Sequence, residues 1–291
     1  MTPATPARGL IALLRLPYWL MTGGLSVLTA FAITKDPLSL SVQTVLLIFF
    51  SMAFITSAGF AINDYFDRES DAVIKPKRPI PSGALSLKQV VAVSGLLFAV
   101  GLGLTYWLPP LSFIILSVDS LLLLLYSFLV KRKSGFTANI LVGILTGTAF
   151  MYGQATIFNT VNLISLSLYP IAFGTIGGNV LRDILSVEGD SKTGYPTLPQ
   201  KIGGANSAKV AALFFVLTGV FAPLPYLLDY FTVYYLLPIL LWSVLLIYAS
   251  IRLVTSVSTV QNVRKNERIV TMSMILLPLA LIVEAVLGGL I

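Results

Sequence analysis

Residues 38–71 read LSLSVQTVLLIFFSMAFITSAGFAINDYFDRESD. From Leu38 to Ile62 no Asp, Glu, Lys or Arg occurs; then Asp64, Asp67, Arg68, Glu69 and Asp71 crowd into one short stretch. At 1.5 Å per residue the uncharged run makes a helix roughly 37 Å long, more than a hydrocarbon core about 30 Å thick requires. In lipid the backbone has to satisfy its own hydrogen bonds, so the run predicts a membrane-crossing helix. That helix delivers a set of acids to one membrane surface.

The rest of the chain repeats the pattern. Apolar runs bounded by charge, Gly or Pro lie at Leu16 to Ile33, Leu38 to Ile62, Leu87 to Trp107, Leu111 to Val130, Thr137 to Phe158, Leu163 to Leu181, Ala208 to Leu228, Val233 to Leu253 and Ile269 to Leu290. They predict an all-α, polytopic membrane protein with nine transmembrane helices. Mean hydropathy is +0.91 and only 11% of residues are charged, about half the usual share in soluble domains. No separate soluble domain is expected, and residues 1–291 are read as one intramembrane domain. The opening Met1 to Gly9 is too short and too poor in apolar residues for a cleavable signal peptide, so the first span is expected to be retained.

Nine spans put alternate connections on opposite sides. Arg8 and Arg15 precede the first turn of the path; Arg68, Lys75, Lys77, Arg78 and Lys88 share the second connection, and Lys131, Arg132 and Lys133 the fourth. Arg182, Lys192, Lys201 and Lys209 share the sixth, and Arg252, Arg264, Lys265 and Arg268 the eighth. Of 19 basic residues, Lys35 alone falls on the other side. The positive-inside rule therefore predicts a cytoplasmic N-terminus and an outward C-terminus. The net charge of +7 is explained by this topology, with no nucleic acid and no protein partner implied. The long polar connections, Asn63 to Ser86 and Arg182 to Ser207, lie on the cytoplasmic side, so the active site is expected there.

Cys and His are absent. This excludes zinc and iron–sulfur centres, disulfides, His-ligated haem, thiol nucleophiles and His-based triads. Chemistry must run on carboxylates, hydroxyls, amides, Lys and Arg. On a helix Asn63, Asp67 and Asp71 fall at 0°, 40° and 80°, with Asp64 about 20° beyond Asp71. Like charges so placed repel unless a cation joins them, and hard oxygen donors suit Mg²⁺ held jointly with substrate phosphates. Asp183 and Asp190, about 20° apart on the sixth helix with Ser186 between them, form a second acidic patch. Flanking Lys and Arg would hold the phosphates of a metal-bridged diphosphate.

The stretch Asn63 to Asp71, followed by Lys75-Pro76-Lys77-Arg78-Pro79-Ile80-Pro81-Ser82-Gly83, closely resembles the first aspartate-rich motif of the UbiA superfamily of intramembrane prenyltransferases. Arg182 to Asp190 with Thr197-Leu198-Pro199 resembles its second motif, and Tyr126, Lys131 and Asn139 resemble its pattern around the fourth connection. Two departures stand out. Many relatives carry Asp at the place of Ser186 and Asn at that of Ile74; Ser186 before Glu188-Gly189-Asp190 resembles the chlorophyll synthase branch.

The resemblance implies nine helices around a central cavity, open to lipid and capped on the cytoplasmic side. It also implies Mg²⁺-dependent transfer of a geranylgeranyl-like group from an allylic prenyl diphosphate to a membrane-associated acceptor. Asn63, Asp67 and Asp71 are assigned to one Mg²⁺ and Asp183 with Asp190 to another, with Asp64 supporting the first through water or Lys. Arg68, Lys75, Arg78, Lys131 and Lys192 are the candidates for diphosphate contact. Asp119, inside an apolar run and seven residues from Tyr126, is expected to orient the acceptor or take its proton. Tyr65, Phe66, Tyr126, Phe150 and Tyr152 are candidate π-faces for an allylic cation. For the acceptor, motif pattern favours the archaeal ether-lipid branch, with a geranylgeranylglyceryl phosphate as acceptor. An aromatic acid of quinone synthesis and a tetrapyrrole carboxylate follow. An ion-coupled transporter is the reading from a different class, disfavoured because its acids would have to be spread through membrane depth.

Overall fold

The computed structural model describes residues 5–192, 194–255 and 259–290. Of the opening segment weighed as a signal peptide, Met1 to Ala4 lie outside that set. Nine helices among the described residues are long and apolar enough to cross a membrane: α1 (Pro6–Thr34), α2 (Val42–Phe66), α3 (Leu87–Trp107), α4 (Pro110–Lys133), α5 (Gly135–Phe158), α6 (Leu163–Lys192), α7 (Leu198–Leu227), α8 (Val233–Thr255) and α9 (Val260–Leu290). No strand occurs among the described residues.

Local chemistry marks the helix starts. Ser41 Oγ accepts from Thr44 N to cap α2. Ser86 and Gln89 form a reciprocal capping box at α3, and Ser134 Oγ accepts from Thr137 N at α5.

Several helices outrun their apolar cores. α6 continues past Leu181 to Lys192, α7 begins at Leu198, well before Ala208, and α9 begins at Val260 instead of Ile269. Hydropathy registers only the hydrocarbon layer; a helix entering the headgroup region keeps its backbone bonds while its side chains turn polar. The expected cytoplasmic connection from Arg182 to Ser207 is consequently mostly helix. Gly203, at φ +79°, breaks α7 near its start, in a backbone region that favours Gly.

The second half of α1 packs against α5 and α9, whereas its first half lies against α2. At Gly153 of α5 a Cβ would fall 2.5 Å from Ser26 O and 2.9 Å from Thr29 Cβ, so only Gly lets α5 come this close to α1. Tyr152 beside it is fully buried, its hydroxyl 2.6 Å from Ser51 Oγ of α2. This closure leaves a cavity of about 1280 Å³ towards the end bearing the acidic motifs, lined by α1, α2, α4, α5, α6, α8 and α9.

Glu284 is completely buried near the other end. Its carboxylate accepts from Thr232 N at 3.0 Å, Thr232 Oγ1 at 2.7 Å and Tyr235 N at 3.2 Å. It therefore caps the start of α8, and Lys35 Nζ lies 3.7 Å from Oε1.

Candidate active site

α2 ends at Phe66, Asp67 turns the chain, and a short helix, Arg68–Ile74, carries the motif on. The break leaves the side chains gathered. Asp64, Asp67 and Asp71 are each at most 5% exposed, far more buried than carboxylates usually are. Each is compensated.

Arg78 bridges two of them, donating to Asp64 Oδ1 at 2.9 Å and to Asp71 Oδ2 at 2.5 Å. Arg15, from the opposite side, donates to the same Asp64 oxygen at 2.6 Å and lies over the Phe60 ring. Asp67 Oδ2 accepts from Asn63 Nδ2 at 2.8 Å and from Lys131, and its Oδ1 accepts from Tyr195. The Lys131 ammonium also rests on the Tyr195 ring.

The segment between α6 and α7 is thereby tied to the first motif. Burial, reinforced by the bond to Asp67, pushes the Tyr195 phenol above its ordinary pKa, which keeps it a donor. Desolvation, aided by the Arg78 charge, lowers the pKa of Lys75.

On α6, Asp183 Oδ2 accepts from Asn139 Nδ2 of α5 at 2.8 Å, and Ser186 donates to Asp190 Oδ2 at 2.6 Å. Asn63, Asp67, Asp71, Asp183, Ser186 and Asp190 all line the cavity, so its polar end holds both motifs. Among the described residues no three acids stand close enough to hold an ion unaided. That agrees with Mg²⁺ chemistry, in which one or two carboxylates act with water and substrate phosphates. Asn63 Oδ1 is buried with no hydrogen-bond partner, a hard oxygen donor of the type such an ion takes. The donor set fits Mg²⁺ on these grounds.

Of the expected phosphate contacts, Lys75, Arg78 and Lys131 line the cavity. Arg68 and Lys192 do not. Arg68 turns outward, 3.2 Å from Glu69 and over Tyr65, and Lys192 is exposed at the end of α6; a helix presents only one face to the cavity. Asp64 is also off the cavity wall, supporting Arg15 and Arg78 from behind, where water or Lys was expected.

Asp119 lines the cavity and accepts from Thr148 at 2.7 Å, while its Oδ1 has no partner. Twelve residues of helix separate it from Lys131, roughly 18 Å along the axis, which sets it deep in the cavity, away from the motif carboxylates; the role expected for it was to orient the acceptor or take its proton. Tyr126, roughly 10 Å nearer the polar end along the same helix, and Phe150 line the cavity. Tyr65, Phe66 and Tyr152 do not; Phe66 packs on Phe128.

The residue reading missed Arg15, Asn179, Arg182, Tyr195 and Thr197 as cavity side chains. The first was visible only as a topological charge. Thr197 Oγ1 is buried without a partner, and its place as the first residue of the Thr197-Leu198-Pro199 motif was the available signal.

A profile of the UbiA prenyltransferase family matches residues 23–277. A digeranylgeranylglyceryl phosphate synthase of Natronomonas pharaonis is 37% identical over 231 residues, 79% of this chain and 81% of that protein. The enzyme of the same name from Methanococcoides burtonii is 37% identical over 210 residues, 70% and 74% of the two chains. Among solved structures, a digeranylgeranylglyceryl phosphate synthase superposes with TM-score 0.80 at 29% identity, covering 97% of this chain and 99% of that one. A UbiA homologue from Archaeoglobus fulgidus bound to DMAPP and Mg²⁺ shares the fold, with TM-score 0.66 at 19% identity over 95% and 99%.

Proposed function

This chain belongs to the UbiA prenyltransferase family, and on that footing we propose that it transfers a geranylgeranyl-like group from an allylic diphosphate to the free hydroxyl of a geranylgeranylglyceryl phosphate. It is an integral multi-pass membrane enzyme. In this reading residues 1–291 act as one domain, with the N-terminus and active site cytoplasmic and the C-terminus outside. The observation that carries the reading is a single cavity with acids and cations at one end and apolar walls below.

Asn63, Asp67 and Asp71 would hold one Mg²⁺ and Asp183 with Asp190 a second, each shared with diphosphate oxygens. Bound there, Mg²⁺ supplies Lewis acidity that draws charge from the departing diphosphate. Arg78 and Lys131, now paired with carboxylates, turn their remaining donors to phosphate oxygens, and Lys75 joins them. Asp64 fixes the two guanidinium groups of Arg15 and Arg78. As the allylic C–O bond breaks, the aromatic face of Tyr126 stabilises positive charge on the prenyl carbon. The apolar walls keep out water that would quench it. The acceptor hydroxyl oxygen then forms the ether bond to the prenyl carbon, and its proton passes to the released diphosphate.

The test is an acceptor panel with geranylgeranyl diphosphate, products identified by mass. We expect an ether product from the glyceryl phosphate lipid, abolished by EDTA and restored by Mg²⁺. Transfer to 4-hydroxybenzoate alone would replace the acceptor assignment, and full activity in chelator would remove the metal.

A further inference from the structure

Five cationic side chains line the cavity: Arg15, Lys75, Arg78, Lys131 and Arg182. Arg15, Arg78 and Lys131 are engaged by first-motif carboxylates. Among the described residues no carboxylate pairs with Lys75 or Arg182. Lys75 follows Asp71 by one helical turn and feels the Arg78 charge, so it belongs to the diphosphate's end. Arg182 stands on the wall formed by α6.

Along α6, at 100° per residue, Thr175, Asn179 and Arg182 share a strip about 60° wide, and all three line the cavity. Asp183 lies about 80° from Thr175 on the flank facing α5, where Asn139 bonds it and Ile176 meets Gly143. Arg182 occupies the opposite flank. The first half of α9 packs on α6 and contributes Thr271 to the same cavity, its hydroxyl donating to Glu267 Oε1 at 3.3 Å. Arg182 is exposed while lining the cavity, so its guanidinium is accessible to an incoming anion. Its planar fork of donors matches two oxygens of a phosphate.

The proposed reaction brings two anions into this cavity, the donor's diphosphate and the acceptor's phosphomonoester. The first motif, with Lys75, Arg78 and Lys131, accounts for the former. We propose that Arg182, with the Asn179 amide, forms a second anion subsite that binds the phosphomonoester of the acceptor lipid. The inference rests on the reading of the acceptor as a phosphate-bearing lipid. On α6 Arg182 points about 100° away from Asp183, which sets the acceptor's phosphate to one side of the diphosphate and leaves the acceptor's glycerol hydroxyl towards the allylic carbon.

The experiment compares wild type, Arg182→Gln and Arg182→Lys, purified in detergent and checked by thermal unfolding. Two acceptors are used, the geranylgeranylglyceryl phosphate and the same lipid with a free hydroxyl in place of phosphate. For wild type, removing the phosphate should raise the acceptor KM about ten- to hundredfold, the scale of a lost charge-assisted contact. Arg182→Gln should show that rise with the phosphorylated acceptor, little further loss with the other, and a donor KM within about twofold of wild type. Arg182→Lys should recover part of it. The phosphorylated acceptor alone should raise the Tm of wild type and not of Arg182→Gln.

A raised donor KM or Mg²⁺ requirement with the acceptor KM unchanged would return Arg182 to the diphosphate and overturn the subsite. So would full discrimination between the two acceptors by Arg182→Gln. If wild type uses neither glyceryl lipid, the acceptor reading itself fails and takes the subsite with it. If wild type uses them and the variants match it, only the subsite fails.

Discussion

Ser186 stands one turn before Asp190 and donates to its Oδ2. A hydroxyl is a weak, neutral ligand beside carboxylates, so its part here is to orient Asp190. Ser186→Ala should raise the Mg²⁺ needed for half-maximal rate by no more than about tenfold, the low end for an outer-shell partner. Asp183→Ala and Asp190→Ala should each cost at least about a hundredfold in rate. Ser186→Asp sets a carboxylate against Asp190, and in EDTA its Tm should fall below wild type and recover with Mg²⁺. A Mg²⁺ titration of initial rate, with thermal unfolding in parallel, reads all four variants. A severe Ser186→Ala defect beside near-normal Asp183→Ala would mean that the hydroxyl touches substrate and that the acid does not hold metal.

Two intramembrane acids differ because their helices place them differently. Glu284 of α9 closes the start of α8 through Thr232 and Tyr235. Glu284→Ala leaves buried N–H groups unpaired, a loss of about 2 kcal/mol, and should lower Tm by about 5 °C without changing either substrate's KM. Asp119 of α4 faces the cavity but lies a long way below Lys131. Asp119→Asn keeps a bond with Thr148 and should retain kcat within about threefold, the size of a single neutral hydrogen bond adjusted in place. Loss of turnover in well-folded Asp119→Asn would restore the acid to the chemistry.

At the scale of the molecule, basic residues gather at the end holding the site, and the second half of α1 seals the other end against α5 and α9. The absence of Cys makes orientation measurable with single substitutions. Ser39, between α1 and α2, and Lys133, at the end of α4, are both exposed and on opposite ends. In intact cells a membrane-impermeant maleimide should label Ser39→Cys and spare Lys133→Cys until the membrane is opened. The reverse pattern would put the active site outside.

The number of helices, the crowding of charge at one membrane surface and the two acidic motifs were legible in the residues. Hydrocarbon thickness and charge insertion costs act on local sequence. Helix ends were less legible: α6 runs on through Asp183, Ser186 and Asp190 because water at the surface satisfies polar side chains without ending a helix. Spacing along a helix also placed Asp67, Asp183 and Asp190 on usable faces. It said nothing of which neighbour each would meet. That Arg78 joins Asp64 to Asp71, that Arg15 reaches Asp64 from 49 positions away, that Tyr195 closes on Asp67, and that Arg182 pairs with no carboxylate among the described residues depend on how separate helices pack. Only the tertiary structure decides such pairings, because Coulomb and hydrogen-bond energies act over distances in space, and sequence separation does not measure them.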